Sequence, residues 1–390
     1  MTCPRTARTA ALLLLGGVAA WCAVPDARAA AADDWPSFRG SPAMTGRASG
    51  ATLPAKLSRL WTFECGSAVD STAAIVGDRV FLGTSKGEVF CIGLQDGKQR
   101  WKVTGEDAVT ASPCVHKGTV YVGDESGNFL ALNAADGKKV WAFKAEDKIV
   151  SSAVVAGDAV LFGSYDNHLY SLDAKTGAKK WAFKADSFVH CSPCVSDGRV
   201  VIAGCDGHIR LIDLATGKQR AAVETEGNFA ANAAADAGLA FVGSMSGEYY
   251  AVQLKDAKVA WQQRDKGGGA CFAGAAVSGG ANRVVFASRG RKVFAVDGET
   301  GEVKWTFVTK GKVDSSPVIV KTMRAAEHLL VGSSDGNLYR LQLSDGKSVW
   351  KFTAGSAITA SPAVRRGRLV IGTEDGAVYC FGPKRGEGAK

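Results

Sequence analysis

The 390-residue sequence carries five histidines and four methionines, and no two of its ten cysteines adjoin. No histidine follows a CxxC, which excludes c-type haem attachment. There is no glycine-rich phosphate loop, no zinc-ligand spacing and no serine-nucleophile elbow leading into a helix. Past residue 30 no apolar run is long enough to cross a bilayer as a helix. Basic residues give a formal charge of +9, yet the lysines are scattered through turns and not gathered in runs between aromatics. That spacing speaks for a solvated rim and against a nucleic-acid groove.

The N-terminus reads as a targeting segment. Arg5 and Arg8 form a basic start, Ala10 to Ala20 is apolar but short, and Ala27-Arg28-Ala29 offers small residues for cleavage near Ala29 or Ala30. Trp21 precedes Cys22, where a lipoprotein signal wants a small residue, so no lipid anchor is expected. Residues 1–29 are therefore assigned as a signal peptide, 30–56 as a lead-in segment, 57–384 as the folded body and 385–390 as a tail. Processing removes three arginines and one aspartate, leaving about +7 on a chain expected to be exported, soluble and periplasmic or extracellular.

What the sequence does have is a period. Trp61, Trp101, Trp141 and Trp181 fall forty residues apart, position 221 holds alanine, and the series resumes at Trp261, Trp305 and Trp350. Each unit divides into four short apolar or alternating runs separated by turn residues, the pattern of four antiparallel strands. In the second unit these are Val109 to Val115, Thr119 to Gly123, Asn128 to Leu132 and Lys139 to Phe143. A turn glycine recurs between the second and third strands as Gly87, Gly127, Gly207, Gly247, Gly336 and Gly376; Asn167 replaces it in the third unit and Arg291 in the sixth. Hairpin dipeptides such as Asp96-Gly97 and Thr176-Gly177 join the third and fourth strands.

A lone four-stranded sheet cannot bury both faces, so such units stack radially. The tryptophans are expected between adjacent blades as structural anchors, not as ligand platforms. Seven units supply four strands each, and the eighth, 356–381, ends after three. The missing strand is Leu60-Trp61-Thr62-Phe63 at the front of the chain, which closes the ring without leaving an open edge. The fold class is all-β: an eight-bladed β-propeller of four-stranded antiparallel blades, closed by an N-terminal strand that completes the last blade.

The departures from regularity mark places for specialisation: Ala221, Asn232-Ala233 where other units have Ser-Pro, extra residues around Lys266 to Gly269 and Gly279-Gly280, and an insertion at Lys321 to His328. One repeat slot at the head of each innermost strand holds Asp70, Thr110, Val150, His190, Ala230, Phe272, Asp314 and Thr359. If these face the channel, Asp70, His190 and Asp314 are the candidates to meet a ligand there. His190-Cys191-Ser192-Pro193-Cys194 lies in the same kind of strand and not at a helix start, and Cys194 aligns with Cys114. It reads as a small apolar repeat position, not a redox motif. Eight cysteines remain after processing, a number that permits disulfides in an exported chain without requiring them.

The units resemble PQQ-like propeller repeats, best in Leu169-Tyr170-Ser171-Leu172-Asp173-Ala174-Lys175-Thr176-Gly177 through Trp181-Ala182-Phe183. Asp34-Trp35-Pro36-Ser37-Phe38-Arg39-Gly40 is similar to the lead-in that precedes the propeller in many exported members. Two branches of that superfamily frame the expectation. BamB-type proteins are non-catalytic scaffolds of outer-membrane β-barrel assembly; quinoprotein alcohol dehydrogenases hold pyrroloquinoline quinone and calcium in the funnel of the ring. The adjacent-cysteine pair and the long insertions of the dehydrogenases are missing, and no residue matches their calcium ligands or catalytic aspartate. The resemblance thus implies a monomeric, non-catalytic scaffold without cofactor that binds envelope or outer-membrane proteins, with a quinoprotein oxidoreductase or small-ligand-binding relative as the alternative.

Overall fold

The computed structural model describes residues 33–265, 268–323 and 325–384. The segment expected to be a signal peptide, with its expected cleavage site, lies outside the described residues, as do Lys266-Gly267, Arg324 of the expected 321–328 insertion and the 385–390 tail. Each forty-residue unit is one antiparallel sheet, and eight sheets form the ring. In the second blade the strands are Cys114–His116, Thr119–Gly123, Asn128–Asn133 and Lys139–Lys144, from the channel outwards.

The innermost strand is shorter than the expected Val109 to Val115, because its first half bonds between blades. The Val109 amide donates to Thr84 O of the preceding blade at 2.9 Å, and the Ser112 amide to Ser152 Oγ of the following blade at 2.9 Å. Pro113 has no N–H to offer a ladder. The fourth strand carries a bulge immediately before its tryptophan, as between Lys139 and Trp141.

That indole docks onto the next blade. Trp61, Trp101, Trp141, Trp181, Trp261 and Trp305 donate Nε1–H to Leu94, Ala134, Ala174, Leu214, Gly298 and Leu343 carbonyls at 2.7 to 3.2 Å. The turn glycines beneath them, Gly97, Gly137, Gly177, Gly217, Gly301 and Gly346, all have positive φ, and a Cβ at any of them would lie 2.5 to 2.9 Å from indole carbons. Glycine is thus required twice over, for the backbone conformation and for the flat contact. Burying one indole removes roughly 150–250 Å² from water, at most about 4–6 kcal/mol.

Strand β1 (Arg47–Leu53) and strand β2 (Ser58–Glu64) come from the front of the chain. β2 pairs antiparallel with Ala377–Gly382, Thr62 opposite Tyr379, and completes the last blade as expected. β1 lies parallel to Val318–Thr322 and makes the seventh blade five-stranded. The insertion at Lys321 to His328 lengthens that innermost strand, which gives β1 its Lys321 and Thr322 partners.

The lead-in is woven into the ring. Trp35 and Ile75 exchange both backbone hydrogen bonds at 2.8 and 2.7 Å. The amides of Val115, Val195, Ala235, Val277 and Ile319 donate to the carbonyls of Pro36, Pro42, Ala43, Thr45 and Gly46 at 2.7 to 2.8 Å. Six blades are so tied by one segment across one end of the channel. Fully buried Arg39 (φ +62) sits within it, giving Nη1 to Pro317 O at 2.6 Å and Nη2 to Ala275 O at 2.5 Å. Burial lowers its guanidinium to about 9, still charged at neutral pH. Gly40 (φ +77) passes under the Trp35 ring, where a Cβ would come within 2.6 Å. Asp33 and Asp34 pin the start of the segment to Arg366 and Arg365.

Candidate functional site

The eight residues of the repeated slot, Asp70, Thr110, Val150, His190, Ala230, Phe272, Asp314 and Thr359, all line one axial cavity of about 170 Å³. A second ring lies deeper: Thr72, Ser112, Ser152, Ser192, Asn232, Ser316 and Ser361. Phe38 of the lead-in also lines the cavity, so the plug forms its floor, and the mouth opens among the connections between blades.

Asp70, His190 and Asp314 share this cavity, but each is bound to a neighbour and none to another. Asp70 Oδ1 accepts from Thr359 Oγ1 at 3.0 Å, one of the contacts between first and last blades. Asp314 takes Arg289 Nε and Nη2 at 2.8 and 3.1 Å, and that guanidinium lies 3.8 Å from the Phe272 ring centroid. His190 Nδ1 is 2.7 Å from Tyr165 Oη. Tyr165 stacks on exposed Phe188 at 4.8 Å, with Lys148 Nζ 4.5 Å from its ring centroid. Burial lowers the His190 pKa, with the Lys148 charge adding to it, so the imidazole is neutral at pH 7.

The deeper ring is a belt of hydroxyls that sequence reasoning did not single out. Ser112, Ser152 and Ser192 Oγ accept the amides of Thr72, Ser112 and Ser152, each at 2.9 Å. Ser316 and Ser361 accept those of Gly274 and Ser316 at 2.9 Å, and Thr72 Oγ1 that of Ser361 at 3.1 Å. The recurring Ser-Pro dipeptide was its signal: the serine bonds the adjacent blade and the proline ends the unpaired stretch. Asn232 and Gly274 interrupt the belt at the fifth and sixth blades.

All eight cysteines among the described residues are free thiols, seven of them buried and Cys205 half-buried. Burial pushes Cys114 and Cys191 up to about 12, which makes them poor nucleophiles. Cys194 is fully buried against Ala43 O of the lead-in, in keeping with a packing position.

The sequence matches the profile of the family described as outer membrane protein assembly factor BamB, over residues 54–155, 144–264 and 319–389. The chain belongs to this family. No curated protein matches it. Among solved structures it is similar to BamB from Moraxella catarrhalis, with 20% identity, TM-score 0.71, and coverage of 84% of this chain and all (100%) of that one. It is also similar to the quinohemoprotein alcohol dehydrogenase of Comamonas testosteroni (14% identity, TM-score 0.77, 90% of this chain and 80% of that). A europium-containing methanol dehydrogenase gives 14% identity and TM-score 0.75 over 90% of this chain and 98% of that. At these identities the likeness is one of fold.

The cavity does not fit pyrroloquinoline quinone, the group that the alternative reading of the sequence implies. Pyrroloquinoline quinone is a tricarboxylate, and the lining offers two carboxylates, Asp70 and Asp314, with no lysine or arginine. Arg289, whose guanidinium lies over the lining residue Phe272, is already committed to Asp314. Among the described residues no three histidine, cysteine or acidic side chains cluster as metal ligands.

Proposed function

We propose that this BamB-family chain is an exported, non-catalytic scaffold that holds protein or peptide partners of the cell envelope, outer-membrane assembly proteins among them, as a monomeric ring without lipid anchor or cofactor. One observation carries this reading. The ring is plugged at one end by its own lead-in, and the opposite face presents uncovered apolar side chains, Phe188 (45% exposed) and Met245 (42%). Exposed aromatic and methionine side chains framed by polar loops are what a protein-binding face requires. Only a shallow cup lies behind them. No helix among the described residues is long and apolar enough to cross a membrane.

The test is reciprocal affinity capture from the native envelope with the outer-membrane barrel-assembly machinery. Mutual recovery that is lost on Phe188→Glu supports the scaffold; no recovery in either direction rejects it. The fold shared with quinohemoprotein dehydrogenases keeps one rival, a quinoprotein oxidoreductase. Dye reduction by alcohols or sugars after addition of the quinone and calcium would establish it.

A further inference from the structure

Six hydroxyls of the deeper ring each accept a backbone amide from the preceding blade, which leaves their protons to point elsewhere. They surround the axis of a cavity whose floor includes an aromatic ring, Phe38. Above them Thr110, Thr359, Asp70 and the imidazole of His190 add donors and acceptors at the mouth. An array of convergent O–H groups over an apolar floor suits a ligand with many hydroxyl oxygens and one apolar face.

Charge narrows the class. Arg289 neutralises Asp314, so the lining has one uncompensated carboxylate, Asp70, and no cation. An anion would meet that carboxylate without a counter-charge, and a metal ion would lack a third ligand. Size narrows it further. About 170 Å³ is well below the roughly 300–1,000 Å³ of sites for drug-sized molecules.

We propose that the axial cup binds one neutral, hydroxyl-rich molecule of monosaccharide size, its ring seated on Phe38 and its hydroxyls bonded to the serine belt. The proposal does not depend on the scaffold reading. A ligand held here would sit behind the partner-facing loops.

Saturation-transfer NMR and calorimetry on the mature chain, with D-glucose, D-galactose, N-acetyl-D-glucosamine and myo-inositol as probes, test it. Sodium phosphate, sulfate and acetate serve as the anionic arm. At least one neutral probe is expected to bind with Kd of roughly 10 mM or tighter. Ala230→Leu and Val150→Phe, which place bulk in the mouth, should each weaken it by about tenfold or more with thermal unfolding unchanged. If one filling variant fails to fold, the other decides. The proposal is overturned if no neutral probe binds, if an anion binds in its place, or if binding survives the folded filling variants.

Discussion

Ala221 occupies the slot that holds tryptophan in the other blades, and Ala257 the turn that elsewhere holds glycine, and both exceptions fall at the seam between the fourth and fifth blades. Ala257 keeps the left-handed backbone, with φ +60, and is buried. At the six glycine turns a Cβ would overlap the docked indole; here no indole is present, and the methyl group has room. Ala221→Trp alone should therefore cost about 1–3 kcal/mol by overpacking. In the Ala221→Trp, Ala257→Gly double variant much of that loss should return, as a coupling of about 1–3 kcal/mol in a double-mutant cycle on urea midpoints. Simple additivity would contradict the docking account.

A second residue-scale prediction concerns acid. Burial lowers the pKa of His116, His190 and His328, aided by Lys117, Lys148 and Arg340 in turn. At His328 the cause is visible, for Arg340 Nε donates to its Nδ1 at 2.7 Å, and a proton there would displace that bond. When the folded pKa is lower than the unfolded value, the unfolded chain binds more protons in the interval between the two. Stability is then complete above the ordinary histidine value of 6.5 and falls as pH drops below it. Urea midpoints should decline between about pH 7 and pH 5, and His328→Gln should flatten that decline. A decline unchanged in the variant would remove His328 from the account.

At the scale of elements, the lead-in and the irregular blades belong together. The hydroxyl belt runs through blades one to four and from six through eight to one, so the arc of blades four to six lacks belt bonds. That same arc lacks one tryptophan dock. Lead-in residues 42–45 bond Val195, Ala235 and Val277, one in each of these three blades, and Met44 is fully buried in the core they share. Arg39→Met, which leaves the Pro317 and Ala275 carbonyls without their donor, should lower stability by about 2–4 kcal/mol in urea titration. A loss under half a kcal/mol would mean that the segment is only draped over the ring.

The repeat was legible because its determinants are local and recur: an indole in seven of the eight slots, a turn glycine with few replacements, and the channel slot at the head of each innermost strand. The missing last strand could be counted for the same reason. The lead-in was not legible beyond its motif, since the bonds that tie it to six blades run from main chain to main chain, and its side-chain anchors, Arg39, Asp33 and Asp34, occur once and follow no period. Likewise the partners of the channel residues, Tyr165 for His190 and Arg289 for Asp314, come from the second-to-third turn of the preceding blade. Only the assembled ring brings them within reach.

For the whole molecule, closure is the decisive contact. β2 covers the edge of Ala377–Gly382 within the last blade, and Asp70 meets Thr359 between the first and last blades. Thr62→Pro breaks this pairing and bares a strand edge. It should convert a single cooperative unfolding transition into a broad one and produce oligomers in light scattering. A monodisperse variant with an unchanged transition would show that the ring does not need its N-terminal strand.

Native-state hydrogen exchange tests the plugged, closed ring most directly. The amides of Ile75, Val115, Val195, Ala235, Val277 and Ile319 lie in six different blades, and each donates to a single stretch of the lead-in. They are expected to exchange only with global unfolding, and those of blades four to six to lose protection first when residues 33–46 are deleted. Rapid exchange of these amides in the intact chain would contradict the account.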